Sequence, residues 1–279
     1  MNSYIKNLVS RMFDRTPSEK YTKEFGSMNS YIKDLVSRML DRTTLEKRME
    51  FGFTQITYPI SGEALEEARV ISDIEFSDVL FSAIVSEQDI DIKGRLYFIL
   101  TSLAVNTKSL EITAFLVPRL LIEKDKHVLE TILGCLGKLY KPATMDLTPI
   151  IKCTESRNGF VRGRAYEALT NSEYNVEDFL LDKLKLTQHN DDIASILHAL
   201  IFVGTAKSLP IFKKFLKSRH HASGTAALTG ITILLLRESA SIEEISKISG
   251  YSVGMVKGLE DRIEAYTRRP LVFGMNENR

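Results

Sequence analysis

The sequence predicts an all-α chain: a right-handed α-solenoid of about five to six helix pairs, with extra amphipathic helices in front of it. Three observations predict it. One leucine recurs in successive apolar helices, at Leu103, Leu136, Leu169 and Leu200, in steps of 33, 33 and 31 residues. Prolines mark the other helix of each pair, at Pro118, Pro149 and Pro210, in steps of 31 and 61, with Phe179 in the skipped place. Finally, residues 1–16, MNSYIKNLVSRMFDRT, return at 28–43 as MNSYIKDLVSRMLDRT, differing only at Asn7/Asp34 and Phe13/Leu40.

Residues 1–60 read as this duplicated segment and a linker. Each copy is an amphipathic helix. Ile5, Leu8, Val9, Met12 and Phe13 fall at i, i+3, i+4, i+7 and i+8, and Ile32, Leu35, Val36, Met39 and Leu40 repeat the stripe. Asn2 or Ser3 caps the first copy, and Asn29 or Ser30 the second. Three uses compete: shielding the open end of the array, docking a partner or a second copy of the chain, and lying on a membrane. The mildly basic polar faces argue against the last. Because one copy duplicates the other, one is expected to be dispensable for folding. Residues 44–60 are a less regular linker, within which FGFTQITYPI, residues 51–60, is the stretch with strand propensity, ended by Pro59 and Ser61–Gly62.

Residues 61–239 form the array. SGEALEEARVIS opens it, with Ser61 as the expected cap and acids in the early turns. Two independent markers give one period near 32 residues, and two helices per period are the mark of a helical solenoid. A proline inside the first helix would bend it along an outer curve. Small residues at Gly134, Gly137, Ala165, Ala168, Ala194 and Ala199 let neighbouring helices approach. Val161–Leu169, VRGRAYEAL, behind the proline-bearing LTPII, resembles the second helix of a HEAT repeat. That resemblance covers roughly two thirds of the chain and implies stacked helix pairs. It is nearly silent about function.

Composition excludes several classes. Hydrophobic residues make up 44% and charged residues 26%, the profile of a folded soluble protein, and the net charge is +1. No global charge draws the chain to nucleic acid or acidic membranes. Cys135 and Cys153 cannot build a disulfide framework, lack a CxxC neighbour and read as core residues. The N-terminus lacks the apolar run of a signal peptide, and no stretch approaches ~18 uninterrupted apolar residues. A cytoplasmic setting is the expectation.

No nucleophile–base motif, zinc motif or glycine-rich phosphate loop appears, so no catalytic residue, cofactor or metal is expected. His198 reads as a satisfied core or groove residue. His220 and His221, with Asp191 or Asp192, have the donor types of a metal site, but adjacent helical residues point about 100° apart. The turns inside the pairs gather basic residues: Lys124, Lys126 and His127; Arg157, Arg162 and Arg164; Lys185 and His189; Lys213, Lys214, Lys217, Arg219, His220 and His221. Stacked repeats would line these into a strip suited to an acidic protein or a nucleic-acid backbone. The bland reading is a solvated edge, with Glu123, Asp125, Glu155, Asp191 and Asp192 interspersed and Arg162 purely structural.

Residues 240–268 read as a terminal helix pair resembling a helix-turn-helix. Ile245, Tyr251 and Leu259 take its apolar slots, and Gly250 its turn. Its second helix offers Lys257 but also Glu260 and Asp261, a poor surface for phosphates. Residues 269–279 read as a loose tail. The expectation is a non-enzymatic scaffold binding a protein on its concave face or basic edge. The alternatives are a nucleic-acid-binding solenoid and, third, an enzyme like the HEAT-like DNA glycosylases, whose active-site motif matches no positions here.

Overall fold

The computed structural model describes residues 29–48, 54–238 and 240–258. The first amphipathic copy, its caps Asn2 and Ser3, the slot at Leu259, the acids Glu260 and Asp261, and the tail lie outside the described residues. Apart from one short hairpin, the regular structure described is helical. The chain divides into two compact units, residues 1–107 and 108–279.

In the first unit, α1 (Ser30–Met39) starts at Asn29, whose side chain accepts from the Tyr31 N–H at 2.9 Å. Ile32, Leu35, Val36 and Met39 are buried, the stripe that the i, i+3, i+4, i+7 spacing demands. Leu40 caps the helix instead of joining its buried face. The strands β1 (Leu45–Arg48) and β2 (Thr54–Thr57) pair antiparallel, with Leu45 opposite Thr57. β2 falls within the linker that carried strand propensity. Next comes α2 (Pro59–Arg69), which corrects the expected start at Ser61: the helix begins at Pro59, with Tyr58 as its cap. Proline's fixed φ suits the first helical turn, where its missing N–H costs nothing. A helical hairpin follows, α3 (Phe76–Ser86) and α4 (Ile90–Thr107), and α1 packs on α2 and α4.

The described residues of the second unit form four hairpins. They are α5 (Leu110–Arg119) with α6 (Lys126–Leu136), α7 (Thr148–Cys153) with α8 (Gly159–Ala168), α9 (Val176–Leu186) with α10 (Asn190–Val203), and α11 (Leu209–Phe215) with α12 (His221–Arg237). The second helices pack in order: α6 on α8, α8 on α10, α10 on α12. Leu136, Leu169 and Leu200 are all buried. In α12 every residue from Ala226 to Leu235 is buried, so this helix is covered on all sides. Each large apolar side chain so placed contributes roughly 1.5–3 kcal/mol.

Small residues set close approaches between second helices. A Cβ at Gly137 would lie 3.1 Å from Glu167 Cγ, and one at Gly163 would lie 3.0 Å from Ser195 Oγ. Gly134, by contrast, has open space where its Cβ would be, so it is not one of the contacts expected of it. The prolines also need correction. Only Pro118 lies inside its helix, near the end of α5, whereas Pro149 and Pro210 sit in the first turns of α7 and α11. There they start helices and bend nothing.

Polar side chains fasten one hairpin to the next. The Glu177 carboxylate, 3% exposed, accepts from Thr205 N–H (2.8 Å), Thr205 Oγ1 (2.9 Å) and Ser208 Oγ (2.6 Å). Arg237 Nη2 donates to the Ile201 carbonyl at 3.2 Å, at the end of α10. α13 (Ile242–Ser249) packs on α12 and opens with a capping box between Ser241 and Glu244. Gly250 follows at φ 75°, and a helix begins again at Val253, the turn expected at that glycine.

Candidate functional site

The turns between the two helices of each hairpin in the second unit carry the candidate residues. Two of them are shaped by side-chain caps. Asp125 accepts from the N–H groups of His127 (2.8 Å) and Val128 (3.0 Å). Asn158 accepts from those of Phe160 (2.9 Å) and Val161 (3.2 Å). These caps satisfy orphan donors and fix where each second helix starts. His189 and His220 take the same place before α10 and α12 without a side-chain cap bond.

Lys126, His127, Arg157, His189, Lys217 and Arg219 are exposed at or beside these turns, and Lys214 is exposed on α11. Three others are occupied elsewhere. Arg162 is half-buried: its Nε donates to Asp192 Oδ2 at 2.9 Å, and its Nη1 donates to the Ser156 carbonyl at 2.8 Å. It ties its own turn to the first turn of α10, the structural role that the bland reading gives it. Arg164 pairs with Glu167 on α8 at 2.7 Å. His220 Nδ1 contacts Ser223 Oγ at 2.9 Å, and its Nε2 lies 3.5 Å from Asp191.

The interspersed acids are largely engaged too. Glu123 is buried against Arg119 at 2.8 Å, Asp125 serves as a cap, Glu155 meets Lys183 at 3.2 Å, and Asp192 holds Arg162. With those pairs mutually neutralised, Lys124, Lys126, Arg157, Lys217 and Arg219 outweigh Asp125 and Asp191 in the charge these turns present. Sequence reasoning missed a second feature. Leu121, Ile122, Phe160 and Leu186 stand exposed at the same turns, Phe160 at 77% and Leu186 at 81%. Phe160 and Leu186 lie one or two positions off the buried stripes of α8 and α9, and Leu121 and Ile122 lie in the turn past the end of α5. A search for helical periodicity reads such residues as stragglers.

A second cluster lies in the loops between hairpins. Lys141 is fully buried, and its Nζ donates to the Leu136 and Leu139 carbonyls, each at 2.6 Å. These are carbonyls at and just past the end of α6, which lack helical donors. Burial pushes the Lys141 amine down to about 7 and the neighbouring Cys135 thiol up to about 12. The Lys141 N–H donates to the Asn171 carbonyl at 3.0 Å, and the Glu173 N–H donates back to the Lys141 carbonyl at 3.0 Å. Glu173 also accepts from Ala143 N–H at 2.7 Å and from the Tyr140 hydroxyl. A fully buried amine offers no substrate an approach. The cluster fastens the loop after α6 to the loop after α8.

His198 makes an edge contact with Phe202, ring centroids 5.3 Å apart. Among the described residues, no three His, Cys, Asp or Glu side chains gather to hold a metal ion, and no helix is long and apolar enough to cross a membrane. No protein-family model matches the chain, and no curated protein matches it.

Proposed function

We propose that this chain is a HEAT-like repeat scaffold, a right-handed α-solenoid of about five to six helix pairs, that binds a protein partner along the turn edge of its second unit. The packing of α6, α8, α10 and α12 in order supports the repeat reading. The observation that carries the binding reading is the coincidence of exposed apolar and basic side chains at the same turns: Phe160 and Leu186 with Lys126, His127, Arg157 and His189. Exposed apolar side chains set beside one sign of charge suit protein association better than solvent. The partner's matching chemistry is an acidic segment that also presents apolar side chains. The reading assigns the chain no reaction and no cofactor, and it places the protein in the cytoplasm.

The test is affinity capture with three forms of the full chain: wild type, Phe160→Asp with Leu186→Asp, and Lys126→Glu with Arg157→Glu. All the substituted positions are exposed, so circular dichroism should be unchanged. The expected result is a protein recovered by the wild type and lost by both variants. Equal recovery by all three forms would contradict the proposal. A duplex DNA probe supplies the other arm. Affinity at about 50 mM salt that falls by orders of magnitude by about 200 mM would make the edge a phosphate-binding strip instead.

A further inference from the structure

The groove that holds α1 has two matching segments in the chain. In that groove Ile32, Leu35, Val36 and Met39 are buried against α2 and α4. Asn29 caps the helix, and the Tyr31 ring stacks on Phe76 at 5.5 Å. Arg38 forks onto Glu67, with Nη1 at 2.8 Å and Nη2 at 3.1 Å, and its Nε meets Asp34 at 2.7 Å. All of these docking residues but one recur earlier in the chain, as Asn2, Tyr4, Ile5, Leu8, Val9, Arg11 and Met12. The exception is Asp34, replaced by Asn7. The other difference between the copies, Phe13 for Leu40, falls on the cap position outside the buried stripe.

We propose that residues 3–12 are a second occupant of the α1 groove, so that one chain carries two interchangeable helices for one site. The occupancy is intramolecular, and chain length decides which helix is resident. Residues 40–44 link α1 to β1, whereas residues 13–44 would link the first copy to it. That loop is about six times longer, and loop-closure entropy alone disfavours it roughly fifteenfold. Losing the Asp34–Arg38 pair costs a further factor of about two. The second copy is therefore resident, and the first is a reserve roughly thirtyfold less favoured. Either helix can leave the groove while the other keeps the first unit's apolar surface covered.

The experiment is a thermal unfolding series on the full chain with Leu8→Asp, Leu35→Asp and both together. Leu8→Asp should leave Tm unchanged. Leu35→Asp should lower it by about ten degrees or less, the cost of the weaker occupant. The double variant should fall well beyond the sum of the two, because no apolar helix is left for the groove. Equal loss in Leu35→Asp and the double variant would overturn the proposal. A cross-linking arm reads the groove directly. In the Leu35→Asp background, Arg11→Cys and Glu67→Cys are joined by a short bismaleimide. A cross-link within one chain is expected. Its absence, or a cross-link only between two chains, would overturn the intramolecular exchange.

Discussion

Arg162 and Asp192 lie 30 positions apart in sequence and meet at 2.9 Å, joining one hairpin of the second unit to the next. The pair is not an isolated surface bridge. Asp192 is almost completely buried, and the same guanidinium also holds the Ser156 and Arg157 carbonyls of its own turn. Arg162→Ala or Asp192→Ala alone should each destabilise by about 2 kcal/mol, because each leaves a desolvated partner. The double variant should cost clearly less than the sum. Chemical denaturation of the four proteins measures the coupling, and additivity would show that the pair does not act as a unit.

Gly230 lets α12 approach the first helix of its own hairpin closely. A Cβ there would lie 2.4 Å from the Phe212 ring, and that ring is fully buried. Gly230→Ala should therefore lower stability by about 1–3 kcal/mol despite its better helix propensity. Phe212→Leu should recover part of the loss in the double variant. Thermal melts check both; a stabilised Gly230→Ala would mean that α11 moves aside freely.

Lys141 makes stability depend on pH in a defined direction. Its amine titrates near 10.5 when unfolded and at about 7 in the native chain. Between those values the unfolded chain holds a proton that the native chain lacks, so this group's contribution to stability rises with pH. Below pH 7 its full penalty applies; above 10.5 it vanishes. Urea midpoints of the wild type should gain on those of Lys141→Met from about pH 7 to about pH 9. A gap that stays constant would contradict the neutral buried amine.

Both thiols should be silent in the folded chain. Burial raises Cys153 to about 11 and Cys135 to about 12, and neither side chain is exposed. Only the thiolate reacts at a useful rate. An aromatic disulfide reagent at about pH 8 should therefore label both cysteines at the rate of unfolding. Rapid labelling of either one under native conditions would show that its site opens locally.

Much of the scaffold could be read in advance because the buried stripes repeat. Leu136, Leu169 and Leu200 are apolar residues at one depth, and periodicity exposes them. The same regularity hid the division at Thr107–Lys108: the step from Leu103 to Leu136 equals the next one, so spacing gives no sign of a boundary. The fastening at Lys141 was invisible for another reason. A lysine in a loop reads as solvated, and its pairing with Asn171 and Glu173 of the following loop leaves no mark in the local sequence. In the candidate edge, the basic residues were legible by composition. Which of them were already engaged, as Arg162 is by Asp192, depended on contacts across hairpins. Phe160 and Leu186 were passed over because a helical stripe counts only what it buries.

In the second unit the second helices of successive hairpins lie side by side, and one engineered bond tests that packing. A Cβ at Gly163 on α8 would sit 3.7 Å from the Cβ of Ser195 on α10, within the range a disulfide spans. Gly163→Cys with Ser195→Cys should oxidise to an intramolecular disulfide in the native chain, seen by peptide mass mapping, while neither single variant does so. Two free thiols persisting under mild oxidant in the folded double variant would contradict the stacking of α8 on α10.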